Sequence, residues 1–407
     1  MRIEYKRLKD CCSKIGSGAT PKGGSSVYID SGVSLIRSQN VYNLKFSYSG
    51  LAHINDEAAN KLKGVIVNKG DVLLNITGDS VARTCVVPDE VLPARVNQHV
   101  SIIRPNKDVD SRYLNYYLAS PAMQGYLLNI ASTGASRNAI TKGMIEKLVI
   151  PFPDMDSQRR IASILSAYDN LIENNNKRIR LLEQMAEILY KEWFVRFRFP
   201  GHENVEFENG LPKGWKIWSI SKLCDINRKT LNSKNKGLEI EYLDTSSITC
   251  NQIVGTESYV FEEAPSRARR IVKHNSIVFS TVRPNLKHYG LLKNIPDNLI
   301  VSTGFAVFDS KYDIANIIYL FLSSQEVVDY CQLIAEGAVA TYPSIKPEEI
   351  GRLKIALPNI EIAEKWNGKL ESLYSEILNI QKQNTLLTRQ RDLLLPRLMS
   401  GKLEVKI

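Results

Sequence analysis

An internal repeat at an offset of 205 residues constrains this 407-residue chain more than any other feature. The run Asp71-Val72-Leu73-Leu74 reappears as Ser276-Ile277-Val278-Phe279. The same offset carries Asn97-Gln98-His99-Val100-Ser101-Ile102-Ile103 onto Ser302-Thr303-Gly304-Phe305-Ala306-Val307-Phe308. It also carries Ile145 and Leu148-Val149-Ile150-Pro151-Phe152-Pro153 onto Ile350 and Leu353-Lys354-Ile355-Ala356-Leu357-Pro358. The apolar frame survives while the polar letters change. Solenoid repeats have periods of about 20–50 residues, and this unit is far longer, with a globular part and a long helix. The chain therefore reads as two related domains, each trailed by a helix, about an approximate two-fold axis. Such a chain suits a bipartite partner.

With 43% apolar residues the chain can bury sizeable cores. No stretch approaches the ~18 uninterrupted apolar residues of a membrane helix, and the opening Met1-Arg2-Ile3-Glu4-Tyr5-Lys6-Arg7 lacks a signal peptide's apolar core. A soluble chain in the cytoplasm, with no membrane partner, is expected. Cys11, Cys12, Cys85, Cys224, Cys250 and Cys331 form no CxxC pair, and His53, His99, His202, His274 and His288 show no ligand spacing. Neither a zinc site nor a disulfide framework is indicated. The net charge of +10 suits a polyanion, because Lys and Arg displace counterions from phosphates. Solubility is the alternative reading of the same charge.

The expected fold class is α+β: two similar domains of mixed strands and helices, joined by two long helices in an antiparallel coiled coil with pseudo-two-fold symmetry. Residues 1–153 form the first domain, with short β-branched runs broken by Gly, Asn and Pro and one helix near Ser111–Leu128. Residues 154–197 form the first long helix. Its stripe Ile161, Leu165, Tyr168, Ile172, Asn175, Ile179, Leu182, Ala186, Leu189 and Trp193 alternates steps of four and three. Residues 198–212, rich in Pro, Gly and Asn, read as a linker. Residues 213–357 are the second domain, its helix copied near Ile314–Leu333. Residues 358–407 carry the second stripe, Ile362, Trp366, Leu370, Leu373, Ile377, Ile380, Asn384, Leu387, Arg391 and Leu394, with Pro396 expected to end the helix.

Pairing positions whose numbers sum to 559 sets Asn175 opposite Asn384 and leaves every other layer apolar except Tyr168 with Arg391. A slip of one heptad buries each asparagine against an aliphatic partner, so this pair is expected to fix the register. Helix length and overlap then set the distance between the two domains' targets.

Catalytic signatures are missing. The stretch Gly16-Ser17-Gly18-Ala19-Thr20-Pro21-Lys22-Gly23-Gly24 lacks the order of a phosphate-binding loop and reads as a flexible polar loop. A DNA methyltransferase requires a Gly-rich cofactor loop after a strand and an Asn/Asp-Pro-Pro-aromatic run beside the flipped base, and neither is present. Asp71, Asp79, Asp89 and Glu90 become Ser276, Pro284, Asn294 and Ile295 in the repeat, which weakens a duplicated metal nuclease.

What accumulates instead are hydrogen-bonding and cationic residues in loops between apolar strands. In the first half these are Arg37, Gln39, Asn40, Thr77, Ser80, Arg83, Arg95, Asn97, Gln98, Arg137 and Asn138. The second half has Arg267, Arg269, Arg270, Arg283, Asn285, Lys287, His288, Tyr342 and Lys346. Arg and Lys read guanine, Asn and Gln read adenine, and Ser/Thr with backbone hold phosphate, so the set fits major-groove readout. Each alone also fits a solvated loop residue. Arg83, Arg137, Arg283, Lys287 and Tyr342 are the leading candidates.

The chain resembles the specificity (S) subunits of type I restriction-modification enzymes over nearly its whole length. The resemblance is carried by Ile150-Pro151-Phe152-Pro153, Gln158-Arg159-Arg160-Ile161-Ala162, Asp169-Asn170-Leu171-Ile172 and Leu181-Leu182-Glu183. It is carried equally by the ending Leu394-Leu395-Pro396-Arg397-Leu398-Met399-Ser400-Gly401-Lys402-Leu403. Gly16-Ser17-Gly18-Ala19-Thr20-Pro21 and Lys69-Gly70-Asp71-Val72-Leu73 resemble the family's first target-recognition domain. The second domain departs at Lys273-His274-Asn275-Ser276 and Ile360-Glu361-Ile362-Ala363-Glu364. The resemblance implies a non-catalytic reader of double-stranded DNA: each domain binds half of an interrupted sequence, and the helices dock two methyltransferase (M) subunits. Restriction (R) subunits would join them, and S-adenosylmethionine, ATP and magnesium would belong to those partners, leaving no cofactor or metal in this chain. The alternatives are a standalone nuclease with an unrecognised site and a coiled-coil scaffold without DNA affinity.

Overall fold

The structure is a computed structural model that describes residues 4–132, 138–338 and 343–403. The chain divides into two compact units, residues 1–176 with 382–407, and residues 177–381. Each therefore holds its own stretch of both long helices, Met155–Tyr190 and Ile360–Met399.

In the first unit the strands Thr84–Val86, Val72–Asn75, Val100–Pro105 and Cys12–Ser17 form an antiparallel sheet in that order. A second sheet orders Tyr28–Ile29, Ala52–Ile54, Val33–Ile36, Ala94–Val96 and Ile66–Val67, with a parallel pair at its middle. Val72–Asn75 is buried along its whole length, which explains its continuous apolar run where a half-exposed strand alternates. Its two faces serve two cores: Leu74 packs with Leu114, Leu127 and Ile145, and Leu73 with Leu35, Val96 and Ile102.

The second unit repeats this plan. Cys224–Ile226, Phe305–Ser310, Ser276–Ser280 and Tyr289–Leu292 form one sheet, and Glu257–Val260, Glu239–Leu243, Leu299–Ser302 and Ala268–Ile271 the other. Glu239–Leu243 and Leu299–Ser302 make its parallel pair. The repeat holds to the single residue. The bridge Thr77 to Ala139 recurs as Val282 to Ser344, both members displaced by 205. The closing two-stranded pairs Glu4–Arg7 with Val149–Phe152 and Lys216–Ser219 with Lys354–Leu357 also correspond, the later strand displaced by 205 and the earlier one by 212.

One buried polar pair was rewritten between the copies. Asp71, fully buried, accepts Arg104 Nε at 2.7 Å and the Asn68 backbone N–H at 2.7 Å. At the equivalent places Ser276 donates to Asp309 at 2.5 Å and accepts the Lys273 N–H at 2.9 Å. The same turn is capped, and the same interior position is satisfied by a different pair.

Around the helices several sequence expectations need correction. The single helix near Ser111–Leu128 is two, Ser111–Ala119 and Pro121–Ser132, because proline forces the preceding Ser120 into extended backbone. Its copy is also split, into Ala315–Leu322 and Gln325–Ala338, at Ser323-Ser324. Pro396 does not end the second long helix, which continues to Met399. An interior proline costs about 3 kcal/mol. Burial of Leu395, Leu398 and Met399 against Tyr113, Tyr116, Ile161 and Leu165, at about 1.5–3 kcal/mol each, outweighs it. Ile362 is exposed and Ala363 buried. Two successive steps of four overshoot a helical stripe, whereas a step of three back from Trp366 returns to Ala363.

Residues 198–212 are ordered rather than a loose linker. Phe199 is buried and stacks on Trp215 at 5.4 Å and beside Trp366 at 5.2 Å. Phe207–Glu208 and Leu211–Pro212 pair as a hairpin around Asn209-Gly210, both at positive φ, the preferred residues for such a turn.

Within the first unit the amide of Asn175 donates to Asn384 Oδ1 at 2.8 Å, and Asn384 donates to Asn176 at 3.0 Å. Arg391 pairs with Asp169, at 2.5 Å, and not with Tyr168. In the second unit Arg178 donates to Glu376 at 3.0 Å, and Trp193 meets Trp366 at 5.5 Å.

Candidate nucleic-acid interface

Strand direction gathers the polar loops of the first unit at one end of its two sheets. The parallel strands Val33–Ile36 and Ala94–Val96 both end there, so residues 37–40 and 97–99 emerge side by side, joined by the Asn97 N–H to Ile36 carbonyl bond at 3.0 Å. Val72–Asn75 and Cys12–Ser17 flank Val100–Pro105 antiparallel and also end there, bringing residues 76–83 and 18–20 alongside. Gly18 makes the approach feasible. A Cβ at this position would lie 2.1 Å from the Val96 carbonyl oxygen, so only glycine fits.

Side chains knit these loops together. Thr20 donates to Gln98 Oε1 at 2.5 Å, Gln98 lies 3.4 Å from His99 Nε2, and His99 Nδ1 is 2.6 Å from Thr77 Oγ1. Asn138 is exposed beside them, its carbonyl accepting the Gly78 N–H at 3.4 Å. Ser80 turns the loop by accepting the Arg83 N–H, and the Arg83 guanidinium stacks 4.7 Å over the half-exposed Tyr42 ring. Exposed Gln39 donates to the Gly50 carbonyl at 3.2 Å, and Arg37 donates to the same carbonyl at 2.5 Å.

Three expected contacts are consumed by the fold. Asn40 is fully buried, donating to Ser47 and Ser49 carbonyls and accepting the Arg37 N–H. Arg95 is only 8% exposed and spends its guanidinium on the Ala59 and Ala94 carbonyls, and burial pushes its pKa down. Asn97 is buried and caps its own turn at the His99 N–H. Arg137 and Tyr342 lie outside the described residues.

The second unit builds the same loop end. Thr281 bonds the Gly304 carbonyl through both N–H and hydroxyl at 2.9 Å, and the Thr303 N–H reaches the Arg267 carbonyl at 2.8 Å. Arg267, Arg283, Asn285 and Lys346 are exposed here. Arg269 stacks 4.5 Å over Phe261, and Arg270 lies 3.4 Å from Thr230, its pKa lowered by burial. Lys287 donates to Gln325 at 2.7 Å, while His288 Nδ1 is held 2.7 Å from the Ile248 carbonyl. Sequence reasoning missed Arg228 and Lys229, exposed on the loop after Cys224–Ile226, and Thr20, His99 and Tyr42 in the first unit. The basic pair was legible as charge; the other three gain meaning only through partners distant in sequence.

The loop backbones match even where the side chains do not. Gly78 at φ +75° corresponds to Arg283 at +47°, and Ala82 at +71° to Lys287 at +57°. Among the described residues no cluster of three or more His, Cys, Asp or Glu is placed to hold a metal, and no helix is long and apolar enough to cross a membrane.

A sequence model of the type I restriction modification DNA specificity domain matches twice, over residues 2–184 and 212–388. The chain belongs to the type I restriction-modification DNA specificity family. The MjaIX specificity subunit of Methanocaldococcus jannaschii is 27% identical, covering 99% of this chain and 94% of its own length. The HindI specificity subunit of Haemophilus influenzae is 22% identical over 91% of this chain and 94% of its own. The crystal structure of an S subunit from M. genitalium superposes with a TM-score of 0.58 at 14% identity, covering 100% of this chain and 97% of that one, a likeness of fold. As a specificity subunit the chain is the DNA-recognising, non-catalytic component of a restriction-modification enzyme, and its two domain copies fit a bipartite target. A standalone nuclease is not favoured.

Proposed function

We propose that each unit reads one half of an interrupted double-stranded DNA sequence through the loop end of its sheets. In the first unit the reading groups are Arg83 on Tyr42 with Thr77, Gln98 and Asn138. In the second they are Arg267, Arg269, Arg270, Arg283 and Lys287. The observation that carries this is the pair of matched loops with unmatched side chains: glycine and alanine at left-handed φ in one copy become arginine and lysine in the other. Backbone strain that a non-glycine residue maintains marks a position held for use, and cations on a shared scaffold are what two different half-sequences require.

The long helices are the proposed docking sites for two methyltransferase subunits, with restriction subunits joining the assembly. Leu181, Met185 and Ile188 support this, being exposed at helical spacing on one outer face of the first long helix, where a soluble helix ordinarily carries polar residues. S-adenosylmethionine, ATP and magnesium are then the business of those partners.

The test is an exchange of residues 210–357 for the corresponding domain of a related subunit, with the methylated motif read by sequencing. One half of the motif should change and the other remain. A change in both halves would overturn the modular reading.

A further inference from the structure

The first unit carries a hydrogen-bonded chain of side chains that the second lacks. Its members Thr20, Gln98, His99 and Thr77 come from three of the loops gathered at one end of the sheets. The offset of 205 turns Thr77, Gln98 and His99 into Val282, Thr303 and Gly304, from which the chain cannot be rebuilt.

Backbone bonds fix where this chain sits. The Ala19 N–H bonds the Val96 carbonyl at 3.0 Å and the Gly18 N–H the Val100 carbonyl at 2.9 Å, which holds the loop bearing Thr20 against the turn at residues 97–99. Buried Asn97 caps that turn by accepting the His99 N–H at 3.1 Å. Gln98, between them, is exposed.

A glutamine amide offers two lone pairs at Oε1 and two hydrogens at Nε2. Thr20 donates to Gln98 Oε1 at 2.5 Å, and Gln98 Nε2 donates to His99 Nε2 at 3.4 Å. Because that imidazole nitrogen accepts, Nδ1 carries the ring hydrogen and donates to Thr77 Oγ1 at 2.6 Å. One acceptor and one donor of the amide are left over, without a partner among the described residues. Turning the amide end for end, with the other imidazole tautomer, leaves the same two groups free.

In the major groove one acceptor with one donor has a single complement. Adenine presents an acceptor at N7 beside a donor at N6, guanine two acceptors, cytosine a donor, and thymine an acceptor beside a methyl group. We infer, resting on the loop-end reading proposed above, that Gln98 reads an adenine of the first unit's half-sequence, with Thr20 and His99 positioning its amide. Held by both partners, the side chain has little rotamer freedom left to lose on binding, which favours discrimination. The second unit has no amide at this position.

Two measurements on the full chain assembled with its methyltransferase subunits test this. In the first, the methylated motif is sequenced: Gln98→Ala should reduce the preference for one A·T pair of one half by about tenfold or more and leave every other position intact. His99→Phe keeps a ring but removes both nitrogens. It should relax the same pair and add nothing further in the Gln98→Ala background, a coupling that a merely structural role would not produce. In the second, each adenine of that half is replaced in turn by 7-deazaadenine, which lacks the N7 acceptor. Binding by the unaltered chain should weaken about fivefold at one of them, so the inference is tested even where a variant fails to fold. Relaxation at a G·C pair, in both halves or nowhere, or a half indifferent to every 7-deazaadenine, would overturn it. If Arg83→Ala still alters that half, the loop-end reading stands without the adenine assignment; a motif unchanged by Gln98→Ala and Arg83→Ala alike would overturn both.

Discussion

Arg283 is predicted to destabilise the domain it serves. It holds φ at +47°, where its counterpart Gly78 holds +75° with open space around the position of a Cβ. A side chain in left-handed backbone costs about 1–2 kcal/mol, while a glycine loses about 0.5–1 kcal/mol more chain entropy on folding. Arg283→Gly should therefore stabilise the second unit by about 0.5–1 kcal/mol. For a unit of about 200 residues this raises the unfolding midpoint by about 1–4 °C. The same change should weaken DNA binding. If the guanidinium contacts phosphate, the slope of log affinity against log salt falls by about 1; if it is bidentate to guanine, about 1–3 kcal/mol of discrimination is lost at one base pair. Thermal unfolding and fluorescence anisotropy on a duplex bearing the motif, at several salt concentrations, measure both sides of the trade. A lower midpoint would refute the strain argument. A higher midpoint with affinity, motif and salt slope all unchanged would remove Arg283 from the reading surface.

Two further outcomes concern the frame. Arg104→Ala strands the fully buried Asp71 carboxylate and should cost about 3–5 kcal/mol in urea unfolding, whereas Asp71→Ser with Arg104→Asp, which copies the Ser276 and Asp309 pair, should recover most of it. Asn175→Leu leaves the Asn384 amide facing an aliphatic chain and should cost about 1–3 kcal/mol; the double change to leucine should be more stable than the single one but broaden the distance distribution between spin labels placed on the two helices within the first unit.

How far the sequence discloses this molecule follows from which interactions are local and which are shared. Strands such as Val72–Asn75 are legible because both faces must be apolar, a demand that each copy of the repeat meets with different residues. The asparagine pair is legible because an amide in an apolar stripe is best satisfied by another amide opposite it; the second bond, from Asn384 to Asn176 beside the stripe, is not. The misreadings arose where a local rule met a tertiary contact of greater energy. Pro396 should stop a helix, yet three buried neighbours hold it in one; the Pro/Gly-rich run after the first long helix should be loose, yet Phe199 anchors it among tryptophans. Among the loop residues the letters alone did not separate Asn40, Arg95 and Asn97, which spend their polar atoms on backbone, from Gln98 and Arg83, which remain at the surface. Donor and acceptor chemistry is identical for the two roles, and only the number of carbonyls within reach distinguishes them. That division bears on how such a protein changes its target. Residues such as Asp71 and Arg104 can change only together, because a buried charge left without its partner costs several kcal/mol. A position such as 78, where nothing lies within 4 Å of the place a Cβ would occupy, can change alone, at the price of a local backbone strain that the frame beneath it absorbs.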